Sequence, residues 1–309
     1  MFADSEKELP EAEEALHRLL VPENKKRAIQ MDEFADLYNP QLIERDKAYV
    51  ENREKQFAAG DRQDSQKKFG ELFEAIINYQ IENSELMGPN ARVIVPSRFD
   101  DIANGIDSIV QFRGPKGATS HLALAIDVTG SEMEIEKKFG RIKSDIENGH
   151  LSVAKYFKTK NFRGELRPVA RVIVGADHET TADISDLILR FERMKTTIAE
   201  NRKKGNTSES AQATTKEFSE IRRKLADHPL HQIVLTEIKQ QLESFYEYAQ
   251  SLGKESVADQ YRRILGIITE VIDEKGEPQK KLPKHPDDQD KVFRFIMDSA
   301  KSFDEQGVV

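Results

Sequence analysis

The central part of the chain changes from helical to extended hydrophobic patterning, and this change limits the possible folds most. Between residues 66 and 86 apolar side chains recur at helical spacing, and a Gly-Pro pair ends that helix. Four short apolar runs follow, at residues 92–95, 106–112, 121–129 and 168–174, and a helix that ends at Gly149 interrupts them. This order of helices and strands predicts an α/β or α+β core with helices packed on the sheet.

Helical sequence flanks the predicted core on both sides. Residues 1–60 are charged and helix-prone, and their three prolines predict short helices packed on something else. We place the α/β core at residues 61–200 and a C-terminal helical region at residues 215–309. There, residues 232–252 and 256–273 predict an antiparallel helical hairpin with two apolar stripes. Such stripes suit an interface within the chain or between the two copies of a homodimer.

The composition excludes several classes of site and protein. No cysteine occurs among the 309 residues, so disulfides, thiol nucleophiles and cysteine zinc sites are excluded, and a metal ion needs oxygen or imidazole ligands. The formal net charge of −8 argues against an overall basic nucleic-acid surface. No apolar run approaches the roughly 20 residues of a membrane span. The acidic N-terminus lacks the pattern of a secretory signal, so we expect a cytoplasmic protein without membrane contact.

Two aspartates lie beside apolar strands at hairpin spacing. Asp107 begins one predicted strand, and Asp127 lies near the end of the next, 20 residues later. A hairpin can bring such positions together, and paired carboxylates form a hard oxygen site suited to Mg²⁺ or Mn²⁺. An ion of this kind polarises a phosphodiester and lowers the pKa of a bound water. The alternatives are a turn residue for Asp107 and a buried ion pair for Asp127.

The order of elements and these two aspartates resemble the PD-(D/E)XK, or restriction-endonuclease-like, nuclease superfamily over roughly residues 66–190. Ile106-Asp107 is similar to the first acidic motif of that family, and Asp127-Val128-Thr129 is similar to the second. The resemblance implies a restriction-endonuclease-like core, with a small mixed sheet flanked by helices. It also implies metal-dependent hydrolysis of phosphodiester bonds in DNA or RNA.

The same resemblance implies a third acidic residue, on the helix that precedes the strands. Glu74 fits this role better than Glu71, because it lies nearer the edge of the apolar stripe. Glu74, Asp107 and Asp127 are then the expected ligands of Mg²⁺ or Mn²⁺. Asp101, shortly before the strand, is an expected neighbour of this acidic group.

The second motif departs from the family pattern at one position. Thr129 stands where the family usually has lysine. Some members carry that lysine on the following helix, and here Lys138 and Lys143 lie on opposite edges of its apolar stripe, so both are candidates. Lys138 is the first choice, as the cation that orients the attacking water and offsets charge on the phosphate. Without such a lysine, the chain is a catalytically inactive nuclease fold.

A basic segment favours nucleic acid as the partner. Residues 137–171 carry ten Lys and Arg against three acids, a net charge of +7. Tyr156, Phe157 and Phe162 lie within it and suit stacking on bases, although a solvated loop with inward-facing aromatics is an equal alternative. Three functions therefore remain open: a nuclease, an inactive nuclease-fold module that binds nucleic acid or protein, and a helical interaction protein.

Overall fold

The helices and strands come from a computed structural model, which describes residues 9–59, 64–114, 118–127, 132–205, 208–275 and 290–306. The helices of these residues are α1 Glu11–Arg27, a 3-10 helix Met31–Phe34, α2 Pro40–Ala59, α3 Asp64–Asn83, α4 Arg98–Asn104, α5 Glu132–Glu147, α6 His178–Lys203, α7 Glu209–Ala226, α8 Pro229–Ser251, α9 Glu255–Lys275 and α10 Lys291–Gln306. The strands are β1 Ala91–Ile94, β2 Ser108–Arg113, β3 Thr119–Asp127, β4 Ser152–Lys158 and β5 Arg163–Gly175. The expectation of a mixed α/β architecture is confirmed.

The five described strands form one mixed sheet in the order β1-β2-β3-β5-β4. Strands β1, β2 and β3 run antiparallel to one another, whereas β3 and β5 are parallel neighbours. Parallel neighbours need a crossover connection, and α5 followed by β4 supplies it. Strand β4 then pairs antiparallel with the first half of β5 at the edge of the sheet.

One large hydrophobic cluster joins helix α1, helix α3, the sheet and the C-terminal helices. It contains Leu16 of α1, Phe73 of α3, Val172 of β5, Ile238 of α8 and Phe303 of α10. The predicted apolar stripe of α3 is buried there, as are most residues of the two stripes of the α8–α9 hairpin, although Leu252 is 41% exposed. These hairpin stripes therefore contact mainly the rest of the same chain. A homodimer through the C-terminal helices stays a prediction.

The N-terminal helices differ from the predicted short pieces. Helix α1 has 17 residues and continues through Pro22, because only one helical hydrogen bond is lost there while Leu16 and Val21 are buried against the core. Helix α2 has 20 residues and begins at Pro40, a position where the fixed φ of proline suits a helix start. Helix α1 packs on α3 and α6, and α2 packs on α4.

Two strongly polar segments contain regular structure. Strand β4 lies in the basic segment, because Tyr156 and Phe157 are buried and anchor it despite its lysines. The polar stretch at residues 202–215 includes the end of α6 at Lys203 and the start of α7 at Glu209. Among the described helices, none combines the length and apolar character that a membrane crossing requires.

Candidate functional site

A cavity of about 380 Å³ lies where helices α1, α2, α3 and α4 meet the turn into β2. Its lining includes three carboxyl side chains from three different elements: Glu74 of α3, Asp101 of α4 and Asp107. Two of these residues, Glu74 and Asp107, are predicted ligands, and Asp101 is the predicted neighbour. Their common position on one cavity wall makes this the candidate site.

The turn between α4 and β2 brings Asp101 and Asp107 together. Gly105 ends α4 in the left-handed conformation, with φ 64°, and its N–H donates to Asp101 O at 3.0 Å. Glycine suits this position because a side chain raises the energy of that conformation. The chain then reverses, and Asp107 directly precedes the first residue of β2.

Burial and neighbouring negative charges raise the pKa values of Glu74 and Asp101. Burial, together with the negative charges of Asp107 and Asp101, raises the pKa of Glu74 well above its usual range. Burial also raises the pKa of Asp101 to about 7, and the charge of Asp107 and a hydrogen bond between the two carboxyl groups act in the same direction. Like charges this close are unfavourable unless a proton or a cation lies among them. The site therefore favours positively charged ligands.

A chain of side-chain hydrogen bonds holds Glu74 in place. Ser108 Oγ donates to Asn78 Oδ1 at 2.7 Å, and Asn78 Nδ2 donates to Asn24 Oδ1 at 3.0 Å. Asn24 Nδ2 in turn donates to Glu74 Oε1 at 2.9 Å. Ser108 and Asn78 are buried, so these bonds are shielded from water. The chain links β2, α3 and α1 to one carboxylate and fixes its orientation.

Basic side chains lie beside the acids. Arg98 Nε donates to Glu54 Oε1 of α2 at 2.7 Å, and Arg98 Nη1 donates to Asp101. Lys25 Nζ donates to Glu71 Oε2 at 3.0 Å, so Glu71 is ion-paired at the cavity wall. The cavity thus combines a group of carboxylates with cations at its edge, an arrangement that suits a metal ion and a phosphate together.

Strand register places the backbone of Asp127 at the same end of the sheet as Asp107. Ser108 pairs with Leu124, so Asp107 precedes that pair and Asp127 lies three residues beyond it. Asp127 is also the last residue of β3 and pairs with Gly175 of β5. Its side chain and all of Thr129 lie outside what the structure describes. The role of Asp127 as a ligand therefore stays a prediction.

The two candidate lysines lie on α5, and neither is among the residues that line the cavity. Lys138 is half-buried. Lys143 Nζ lies 3.9 Å from Glu147 Oε1 and 5.9 Å from the ring centre of Tyr248 on α8. Lys143 therefore has contacts on the side of α5 that faces α8. Its role and that of Lys138 stay predictions.

Acids of the N-terminal region offset part of the charge of the basic segment. Lys155 pairs with Asp46, Lys158 with Glu33 and Arg163 with Asp36, all in residues 1–60. Tyr156 and Phe157 are buried and cannot stack on bases, whereas Phe162 is 48% exposed. The inward-facing alternative is thus correct for the first two aromatic residues. The three ion pairs connect the 3-10 helix, the turn after it and α2 to β4 and β5.

The sequence reasoning missed the contribution of the N-terminal helices to this cavity. Asn24, Lys25 and Glu54 all lie in residues 1–60, and Arg98 lies in α4. No motif marks them, because their positions depend on how α1 and α2 pack. An available signal was the charged first turn of α4, where Arg98 and Asp101 lie three residues apart on one helix face.

The donor set fits a hard divalent cation. Carboxylates and the amide of Asn24 are oxygen ligands of the kind that Mg²⁺ and Mn²⁺ bind, and the mutual repulsion of the acids favours a cation. Within the described residues, no three Asp, Glu or His side chains already stand at ligand spacing. Binding would therefore require the hydrogen-bonded Asp101 and Asp107 carboxyl groups to exchange their shared proton for the ion.

In comparisons with known proteins, no family model, no curated protein and no solved structure matches this chain.

Proposed function

We propose that the protein hydrolyses phosphodiester bonds in DNA or RNA with the help of Mg²⁺ or Mn²⁺. The observation that carries the proposal is the convergence of Glu74, Asp101 and Asp107 in one cavity, at the end of the sheet where β3 ends at Asp127. The order of elements supports it further. Helix α3, the antiparallel strands β1, β2 and β3, helix α5 and strand β5, which is parallel to β3, support a restriction-endonuclease-like core, and α4 and β4 are insertions in that order.

The side chains divide the work between binding and orientation. Glu74, Asp107 and Asp127 would hold the ion, which supplies polarisation of the phosphodiester and a more acidic bound water. Asn24 keeps Glu74 oriented through its 2.9 Å hydrogen bond. Asp101, whose pKa is about 7, is placed to take up or release a proton beside Asp107. The cations at the cavity edge attract the phosphate backbone.

A cleavage assay with a ligand variant tests the proposal. Single- and double-stranded DNA and RNA are incubated with the protein and Mg²⁺ or Mn²⁺, and Mn²⁺ binding is measured by titration calorimetry. We expect Asp107→Asn to lower the cleavage rate by about 100-fold or more and to weaken Mn²⁺ binding, because it removes a negative ligand. The control is Asp186→Asn on α6, which removes only a surface partner of Arg190. Activity that survives Asp107→Asn excludes this cavity as the active site.

A second candidate is an inactive nuclease-fold module that binds nucleic acid. Thr129 in place of the motif lysine favours it. The same assay separates the two functions: binding that weakens with salt but shows no cleavage in Mg²⁺ or Mn²⁺ identifies the binding module. Absence of nucleic-acid binding at low salt removes both and leaves the helical interaction protein.

A further inference from the structure

We propose that Arg98 binds the phosphate group at the bond to be cleaved and is a catalytic residue. This inference rests on the proposed function, since it names a further residue of the same site. Arg98 lies in the first turn of α4 and lines the cavity that contains Glu74 and Asp107. Its side chain is 47% exposed, so a ligand in the cavity can reach the guanidinium.

Two carboxylates from different elements hold the guanidinium of Arg98. Its Nε donates to Glu54 of α2 at 2.7 Å, and its Nη1 donates to Asp101, the hydrogen-bonding neighbour of Asp107. Because the guanidinium is planar and its donors are fixed in direction, two such contacts set its orientation. A positively charged fork of donors is thus positioned beside the carboxylates expected to bind the ion. Planar forks of this kind bind phosphate oxygens through paired hydrogen bonds.

The charge balance of the cavity explains why an arginine is needed there. A phosphodiester brings a negative charge into a site that is already lined by five acids and three cations. The acids are Glu54, Glu71, Glu74, Asp101 and Asp107, and the cations are Lys25, Lys67 and Arg98. A divalent ion offsets part of this charge, and charge that develops on the phosphate in the transition state needs a further cation. Arg98 carries its charge throughout the working pH range, and it donates a hydrogen bond to Asp101, one of these acids. Lys25, the partner of Glu71, is more exposed and lies at the rim.

Glu54 is, by the same geometry, a positioning residue. It contacts Arg98 from α2, a helix outside the sheet and its crossover. This contact gives the N-terminal extension a direct connection to the cavity. Loss of Glu54 should leave the charge of Arg98 in place while removing one of its two orienting contacts.

The test compares Arg98→Gln, Arg98→Lys and Glu54→Gln with the wild type. We expect Arg98→Gln to lower kcat by about 100-fold or more, Arg98→Lys to restore part of it, and Glu54→Gln to cause a smaller loss. Mn²⁺ affinity should not fall in any of these variants. In Ca²⁺, the affinity for a short single-stranded oligonucleotide should fall less steeply with salt concentration in Arg98→Gln than in the wild type. The difference between the two slopes should correspond to about one phosphate contact. The matched control is Arg190→Gln, an arginine that also contacts two acids, Asp186 and Glu217, on the surface.

The outcomes separate this inference from the function on which it rests. If the wild type cleaves, and Arg98→Gln cleaves at a rate within about threefold of it and binds the oligonucleotide with an unchanged salt dependence, the proposed role of Arg98 is wrong. The nuclease proposal then remains intact. A fall in Mn²⁺ affinity equal to the fall in kcat also overturns the proposed role of Arg98, because Arg98 would then act by shaping the ion site. A wild type that binds neither Mn²⁺ nor the oligonucleotide overturns the proposed function and this inference together.

Discussion

At the scale of single residues, Glu237 is a carboxyl group without exposed surface on α8. One oxygen accepts from Gly175 N–H at 3.1 Å, and the other has no hydrogen-bond partner among the described residues. Burial, and secondarily the negative charge of Asp290, raises the pKa of Glu237 well above its usual 4.5. The folded protein therefore keeps a proton on Glu237 that the unfolded chain releases above about pH 4.5.

This difference makes the unfolding free energy depend on pH. The stabilising contribution of Glu237 is fully present below about pH 4.5 and is lost as the pH rises towards the folded-state pKa. Glu237→Gln keeps an acceptor for Gly175 N–H but cannot ionise. We expect the unfolding free energy of this variant, relative to that of the wild type, to increase by up to about 1.4 kcal/mol for each pH unit between the unfolded-state and folded-state pKa values of Glu237. Urea denaturation between about pH 5 and pH 8 measures the difference. Parallel curves for the two proteins contradict the prediction.

The acids of the candidate site show what sequence reasoning can reach at this scale. Asp107 was a candidate because a strand start is visible as a local pattern, whereas Glu74 was a candidate because the family resemblance implies an acid on the preceding helix. Both residues line one cavity, and their roles stay predictions. Arg98 and Glu54 were not identifiable, since their contact joins positions 44 residues apart in separate helices. Such a contact depends on the packing angle of α2, which no local pattern encodes.

At the scale of elements, helix α8 completes the edge of strand β5. Strand β4 pairs with β5 only as far as Val169, so beyond it no described strand pairs with the outer edge of β5. There Gln241 Oε1 accepts from Ile173 N–H at 2.8 Å, and Gln241 Nε2 donates to Ile173 O at 2.6 Å. The amide of Gln241 thus forms the two hydrogen bonds that a neighbouring strand would form. Buried backbone groups would otherwise remain unsatisfied.

Replacing Gln241 should therefore destabilise the protein strongly. Gln241→Leu leaves the N–H and C=O of Ile173 buried without partners, and we expect a loss of about 2–5 kcal/mol in the unfolding free energy. The control Gln240→Leu alters the preceding residue, which is half-buried and donates a hydrogen bond to Ser244 Oγ at 3.3 Å, so its effect should stay below about 1 kcal/mol. Urea denaturation compares the two. Equal losses would show that the amide contacts with β5 add no stability.

The elements themselves were predictable to different degrees. Helices α3, α8 and α9 and strands β2 and β3 were recognisable because their apolar residues follow one period over a whole element. Strand β4 escaped recognition since Lys155 and Lys158 resemble a solvated loop in sequence. In the fold these lysines pair with Asp46 and Glu33, acids more than 100 residues earlier in the chain. Such ion pairs cannot be inferred from β4 alone.

At the scale of the whole molecule, the N-terminal helices connect to the sheet on two sides. Helix α1 contributes Leu16 to the hydrophobic cluster that also includes the C-terminal helices. Helix α2 is held by buried Asp46, which accepts a hydrogen bond from Tyr156 Oη at 2.8 Å and one from Lys155 Nζ, both on β4. Because Glu54 lies further along the same helix, this anchor also sets the position of α2 beside the candidate site.

We expect Asp46→Ala to destabilise the molecule as one cooperative unit. The substitution leaves Lys155 and the hydroxyl of Tyr156 without their buried acceptor, which should cost about 3 kcal/mol. The control Asp36→Ala breaks a pair with Arg163 on the same hairpin, but Asp36 is 64% exposed, so its effect should stay below about 1 kcal/mol. If the N-terminal helices unfold together with the rest of the chain, circular dichroism will show a single unfolding transition for Asp46→Ala, at a lower urea concentration than for the wild type. An unchanged midpoint, with faster hydrogen exchange confined to α2, would mean instead that α2 opens independently of the rest.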